Sequence, residues 1–250
     1  RGMARDFFGT FRNINFRNLL YYDLAASSSY GITVTLNVMA WTYYWELDAT
    51  QMALLMGLPV ITAVPLALLT LGPLGKRWPK HKILNRAIIF MLLDAIWLYL
   101  LRIFDVIPEN GHPVVLGLLL LQNFLFVYLF VLRNVASYSI TADLTDEHES
   151  NSGKRQEGGF YSALAFTTKL ASAAGPLYAG VALDLIGLSE GMMPGQINQA
   201  VLGNLVWVLA IGVIPLMLIA WYFTFRVSMS EEQLLEIQQN ISARSAQAIV

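Results

Sequence analysis

Ionisable side chains stand well inside long apolar stretches, among them Asp23, Asp94, Arg133 and Lys169. Lys169 is the hardest to accommodate. It lies about ten residues into the apolar segment after Gly158, so a helical rise of about 1.5 Å per residue carries it roughly 15 Å along the axis. In a helix that crosses a bilayer, this is near the midplane, where a charged group costs at least about 2.5–3.5 kcal/mol unless it meets a cavity or a partner. Two readings follow. The ammonium either pairs with Asp94 or Asp23 for stability, or it faces a cavity and contacts a substrate or a coupling ion.

A second constellation is a stripe. Asp23, Ser27, Tyr30, Thr33, Asn37, Trp41 and Tyr44 recur at steps of three and four, which places them on one helix face. Turned to lipid, such a face would be expensive, so it looks at partner helices or at a cavity. Asn123, Asn134 and Tyr138 share a face of a later segment, and Ser162, Lys169, Ser172, Pro176 and Gly180 share another. The candidate cavity residues are therefore Lys169, Tyr30, Thr33, Asn37, Trp41, Asn123, Ser162 and Ser172. Asp23, Asp94 and Arg133 are expected to be buried and ionisable, with Arg133 able to snorkel or to meet Asp23 or Asp143.

A third cluster is charged: Asp143, Asp146, Glu147, Glu149, Lys154, Arg155 and Glu157 fall within fifteen residues of one another. It reads as a loop between two apolar helices. Asp143, Asp146, Arg155 and Glu157 are candidates for a gate network that forms in one conformational state; the plainer reading is a solvated loop that fixes topology.

The elements that position these residues are membrane helices. The chain is 56% apolar and 13% charged, against roughly 25% charged in an ordinary globular chain. Its net charge of −1 carries no nucleic-acid footprint. It has no cysteine, and His81, His112 and His148 are too far apart for a metal site, so no metal and no cofactor is expected. Six spans satisfy the roughly 20-residue requirement: about 18–45, 52–75, 83–104, 114–140, 159–187 and 201–225. Residues 1–17 mix arginine with phenylalanine as an interfacial amphipathic segment does. Residues 226–250 read as a cytoplasmic tail with a short amphipathic helix capped at Ser228 or Ser230.

Lysine and arginine set the orientation. Outside the spans they fall on the N-terminal segment, on Lys76, Arg77, Lys80 and Lys82, on Lys154 and Arg155, and on the tail; the alternate loops carry Glu46, Asp48, Asp105, Glu109 and Glu190 instead. By the positive-inside rule both termini are cytoplasmic. Six spans divide into three and three, so an inverted repeat fits the count.

Several stretches resemble one family. They are Ala142-Asp143-Leu-Thr-Asp146, Gly153-Lys-Arg155-Gln-Glu157-Gly158, Phe160, Lys169, Gly175, Gly180 and Leu185-Ile-Gly187, with Asn13-Ile-Asn15-Phe16-Arg17, the basic turn at Lys76–Lys82 and Ser230-Glu-Glu-Gln. Together they are similar to the second half of the glycoside–pentoside–hexuronide:cation symporters, the melibiose-permease-like branch of the major facilitator superfamily. The resemblance implies an all-α membrane protein: a six-helix bundle with a 3+3 inverted repeat, forming the C-terminal half of a twelve-helix fold. It implies that Lys169 matches the family's eleventh-helix lysine and that Asp146, Arg155 and Glu157 match a cytoplasmic network. It implies a coupling cation, Na+ or H+, whose main site belongs to the missing N-terminal half. The implied partners are that half or a second membrane subunit, the lipid bilayer and a small-molecule substrate; the implied location is the bacterial inner membrane. Two positions depart from the family pattern, Glu147 in place of a tyrosine and Ala165 in place of a threonine, and both bear on which sugar is carried.

The expected function is thus cation-coupled transport of a sugar or glycoside by alternating access. The competing reading is a non-transporting six-helix scaffold that binds another membrane protein. The chain holds no Ser/His pair, no paired midplane aspartates and no metal constellation, so enzymatic chemistry is not expected.

Overall fold

The computed structural model describes residue 11, residues 13–153, 156–188, 192–193 and 195–227, and residues 236, 237 and 239 of the tail. Arg12, Lys154, Arg155 and Glu190 lie outside the described residues, as do most of the interfacial segment and the tail read from the sequence.

Seven α-helices stand among the described residues: α1 Ile14–Met39, α2 Ala49–Arg77, α3 Lys80–Ile103, α4 Pro113–Ser152, α5 Glu157–Ser172, α6 Ala174–Ile186 and α7 Gln199–Thr224. Each start has a chemical reason. Asn13 caps α1 by accepting from the Phe16 N–H, Asp48 and Gln51 form a reciprocal capping box on α2, Pro113 opens α4 behind His112, and Asn198 caps α7. These side chains satisfy N–H groups that have no intrahelical partner. Helix α2 ends before Trp78-Pro79, since a residue preceding proline is pushed out of the helical region. Lys76 and Arg77 in its last turn suit the negative end of the helix dipole.

Helices α2, α3, α4 and α7 are each long and apolar enough to cross a membrane. The first span fails that test because its polar stripe dilutes its hydropathy. The fifth fails because it is two helices. Proline 176 cannot donate to the carbonyl of Ser172 and its ring crowds that oxygen, so the helix breaks at Ala173 and resumes at Ala174. The freed Ser172 carbonyl then lies against Gly31 of α1. A Cβ built on Gly31 would meet the Ser172 oxygen at 2.5 Å, and one built on Gly175 would overlap the Gly31 backbone. Glycine at both positions is what lets α1 reach the break.

Helix contacts follow a two-fold pattern. α2 packs on α4 as α5–α6 packs on α1; α3 packs on α4 as α7 packs on α1; α3 and α7 pack on each other. Exchanging the first three spans with the last three leaves this pattern unchanged. An odd number of spans per trio turns the second trio over, so the arrangement is a 3+3 inverted repeat. The middle member of each trio carries proline, Pro59, Pro65 and Pro73 in α2 and Pro176 in α6, and α7 carries one as well, Pro215.

Two differences from the sequence reading concern span ends. The charged stretch from Asp143 to Glu149 is not a loop. It continues α4 three turns beyond the apolar run, with Thr141, Leu144 and Thr145 buried, until Gly153 at φ 69° closes the helix in the left-handed conformation. Glycine is the residue for which that conformation is cheap. At the other side of the bundle, α1 ends in a π-helical turn, Ala40–Tyr44.

Candidate functional site

The stripe on α1 comes out much as its spacing requires. Ser29, Tyr30, Thr33, Asn37 and Trp41 line one side of a cavity of about 40 Å³; Met91, Asp94 and Tyr99 of α3, Gln122, Asn123 and Phe126 of α4, and Leu209 of α7 line the rest. Of its lining, Tyr30, Asn37, Asn123 and Phe126 are half-buried, whereas Thr33 and Asp94 are buried. Tyr30 stacks between α1 and α4 on Phe130, with ring centroids 4.4 Å apart. This volume holds two or three waters, on about 10–15 Å³ for each, and is far below the roughly 300–1,000 Å³ of a small-molecule pocket.

Proline fixes one wall. Pro59 in α2 leaves the Leu55 carbonyl without its helical donor, and the Asn123 amide nitrogen donates to that carbonyl at 2.6 Å. Gln122 donates to the Asp94 carbonyl at 2.9 Å, and Trp97 donates to Asp94 Oδ1 at 3.0 Å. The Asp94–Trp97 contact was legible as an i, i+3 pair on one helix face; the Pro59–Leu55–Asn123 contact joins distant segments and was not.

Lys169 is exposed on α5, and it donates to no acceptor among the described residues. The stabilising pair with Asp94 or Asp23, one of the two readings of this lysine, is therefore not formed among the described residues. Its flank is the informative feature. Tyr161, Ser162, Ala165, Lys169, Ser172 and Pro176 follow one another up the side of α5–α6 that leans toward α4. There the Tyr161 hydroxyl donates to the Tyr138 carbonyl at 3.2 Å and the two rings stack. The other exposed flank, toward α7, carries Phe166, Leu170 and Leu177, exposed by 59–73%. One open side of this helix is polar and one is apolar.

Asp23 is buried and held from two helices: Ser27 donates to Oδ1 at 3.2 Å, and Thr168 of α5 donates to Oδ2 at 2.7 Å. Thr168 escaped the sequence reading; it sits on the buried side of the helix, beside the conspicuous Lys169. Arg133 does not snorkel. It is 2% exposed, lies over the Phe130 ring at 5.3 Å, and faces Asp23 and Tyr22 within Coulombic range. Among the described residues its Nε and Nη1 and the Tyr22 hydroxyl find no hydrogen-bond partner.

At the basic end of the bundle, Lys80 of α3 holds Asp143 of α4 through both carboxylate oxygens, at 2.7 and 2.8 Å. Asp143 is thus not the partner of Arg133. The pair joins two helices of the same six-helix unit. Asn13, the cap of α1, donates to Glu147 at 2.8 Å and ties the α4 extension to α1. Asp146 and Glu157 stand on the same end, and Arg155 lies outside the described residues. At the far end Arg102 donates to the Pro108 carbonyl and to Asn110 Oδ1. This loop therefore does receive a cation, from a residue the sequence reading kept inside the third span.

Residues 2–231 match the sequence family described as MFS/sugar transport protein. The chain belongs to this family. With four helices long and apolar enough to span, and with family membership over nearly its whole length, it is an integral membrane protein. Over 112 residues it is 28% identical to the uncharacterised symporter YjmB of Bacillus subtilis (strain 168). That match covers 45% of the chain and 24% of the relative, so the chain spans well under two thirds of the relative it matches. Among the described residues no group of three or more His, Cys, Asp or Glu is placed to hold a metal ion.

Proposed function

We propose that this chain is one six-helix half of a secondary active transporter, and that the second half is a six-helix unit covering the face formed by α1, α4 and the polar flank of α5. The cargo is a sugar or glycoside, moved by alternating access and coupled to Na+ or H+. The membrane is the bacterial cytoplasmic membrane, with the Lys76–Lys82 end and both termini inside.

The observation that carries this reading is the asymmetry of the exposed surface. In a bundle whose other faces are leucine, isoleucine and phenylalanine, Tyr30, Asn37, Asn123, Ser162 and Lys169 open on one side. A lysine near the midplane facing lipid would be unfavourable by several kcal/mol; facing a water-filled path it is not. The cavity in this half is too small for a sugar ring, so a cargo of that size is held between two halves, with these residues as one wall.

The test is a stabilisation screen of the full-length protein against mono- and disaccharides, with sodium present or absent. A ligand at 100 times its Kd raises the stability of the folded form by about 2.7 kcal/mol. Stabilisation by a subset of sugars, and uptake of those sugars into proteoliposomes, is the expected result. No response to any sugar, with or without sodium, would overturn the assignment of cargo.

A further inference from the structure

The buried part of the α1 cavity lining holds a carboxyl group with no basic partner. Asp94 is 5% exposed on a helix that crosses the membrane, and no lysine or arginine lines the cavity with it. Trp97 satisfies one carboxylate oxygen; among the described residues nothing donates to the other. A buried carboxylate in this setting either takes up a proton or is matched by a cation from outside the protein.

The neighbouring polar groups are turned so as to favour the cation. Thr33 gives its hydroxyl proton to the Ser29 carbonyl at 2.9 Å, Gln122 gives an amide proton to the Asp94 carbonyl, and Asn123 gives one to the Leu55 carbonyl. Each partner is a carbonyl, which only accepts, so the orientation of both amides is forced: nitrogen toward the backbone, oxygen away from it. Thr33 Oγ1, Gln122 Oε1, Asn123 Oδ1 and Asp94 Oδ2 are then left as lone-pair donors around one small space. Four oxygen atoms with a single negative charge among them suit a hard monovalent cation. A divalent ion would call for more carboxylates and six to eight oxygens. The cavity, about 40 Å³, takes an ion with a water or two.

We propose that this pocket of Asp94, Thr33, Gln122 and Asn123 is a sodium site lying wholly within this chain, entered past Tyr30 and Asn37. It is separate from any cation site in the other half of the transporter and does not depend on what the cargo is.

The test is equilibrium binding of radioactive sodium to the purified full-length protein, which needs no transport activity. Wild type binds sodium with a stoichiometry one greater than Asp94→Asn. The asparagine keeps an oxygen for Trp97 and removes the charge and the second carboxylate oxygen. Thr33→Val, which keeps the carboxylate and the volume, weakens sodium binding several-fold. Equal sodium stoichiometry in wild type and Asp94→Asn would overturn the site. So would unchanged affinity in Thr33→Val, which decides the matter if Asp94→Asn does not fold. A proton on Asp94 that saturating sodium does not displace would assign the carboxylate to proton binding and also overturn it.

Discussion

Replacing Gly31 by alanine probes the contact on which the polar flank of α5 depends. A Cβ at this position stands 2.5 Å from the Ser172 carbonyl oxygen and 3.2 Å from the carbon behind it. Ordinary contact begins about 0.9 Å further out, and the obstructing atom is backbone, so α1 and the α5–α6 break must move apart by roughly that distance. Overpacking of this kind costs up to about 3 kcal/mol, and the better helix propensity of alanine returns about 1 kcal/mol. The net loss is about 2 kcal/mol, or about 4–8 °C in Tm at the roughly 2–4 °C per kcal/mol of a chain this size. Gly57→Ala is the matched control, since a Cβ there meets nothing within 4 Å; its Tm should hold or rise slightly. Thermal unfolding of both variants in one detergent measures the difference. If Gly31→Ala is as stable as Gly57→Ala, the close crossing of α1 over the helix break is not present in the molecule.

Lys169→Ala in the full-length protein should abolish coupled accumulation of substrate while leaving insertion unchanged; uptake at the wild-type level would remove the role assigned to this lysine. A double-mutant cycle on Lys80 and Asp143, whose side chains are 41% and 14% exposed, should give a coupling of about 0.2–1 kcal/mol that shrinks in high salt, and zero coupling at low salt would contradict the bidentate geometry. Thr168→Val leaves one oxygen of the buried Asp23 unpaired and should lower stability by about 1–3 kcal/mol, more than Ser27→Ala with its longer bond; the reverse order in thermal unfolding would refute this ranking. Arg155→Ala should shift the balance between inward- and outward-open forms in a cysteine-accessibility assay, and unchanged accessibility would dispose of the gate.

The order of the long apolar helices and the stripe on α1 were legible because membrane helices write their length and their polar face directly into the sequence. Where the reading failed, it failed for identifiable reasons. Charge after Ala142 marks where the chain leaves the apolar layer, and this was taken for the end of the helix; the end is set by Gly153, ten residues beyond Asp143. Pro176 was read only as a member of the face it shares with Ser162, Lys169, Ser172 and Gly180. Its effect falls four residues earlier, on Ser172, where the helix breaks. Proline acts the same way in α2: the consequence of Pro59 appears at Leu55 and then at Asn123, in another helix. Thr168 was hidden beside Lys169 because sequence shows which residues are unusual, whereas the hydroxyl that holds Asp23 is an ordinary one. The π-helical turn at Ala40–Tyr44 has no marker in its residues that we can identify.

The claim on which the rest stands is that the polar flank of α5 faces water at the depth of Lys169, while the apolar flank faces lipid. Ala165 and Leu170 stand on these two flanks within about one turn of the lysine, and both are exposed in this six-helix unit. The chain has no cysteine of its own, so Ala165→Cys and Leu170→Cys can be compared directly in the full-length protein in membranes, using a membrane-impermeant thiol reagent. Labelling at Ala165→Cys but not at Leu170→Cys is the predicted result. Labelling at Leu170→Cys with protection at Ala165→Cys would turn the lysine to the acyl chains and contradict the account.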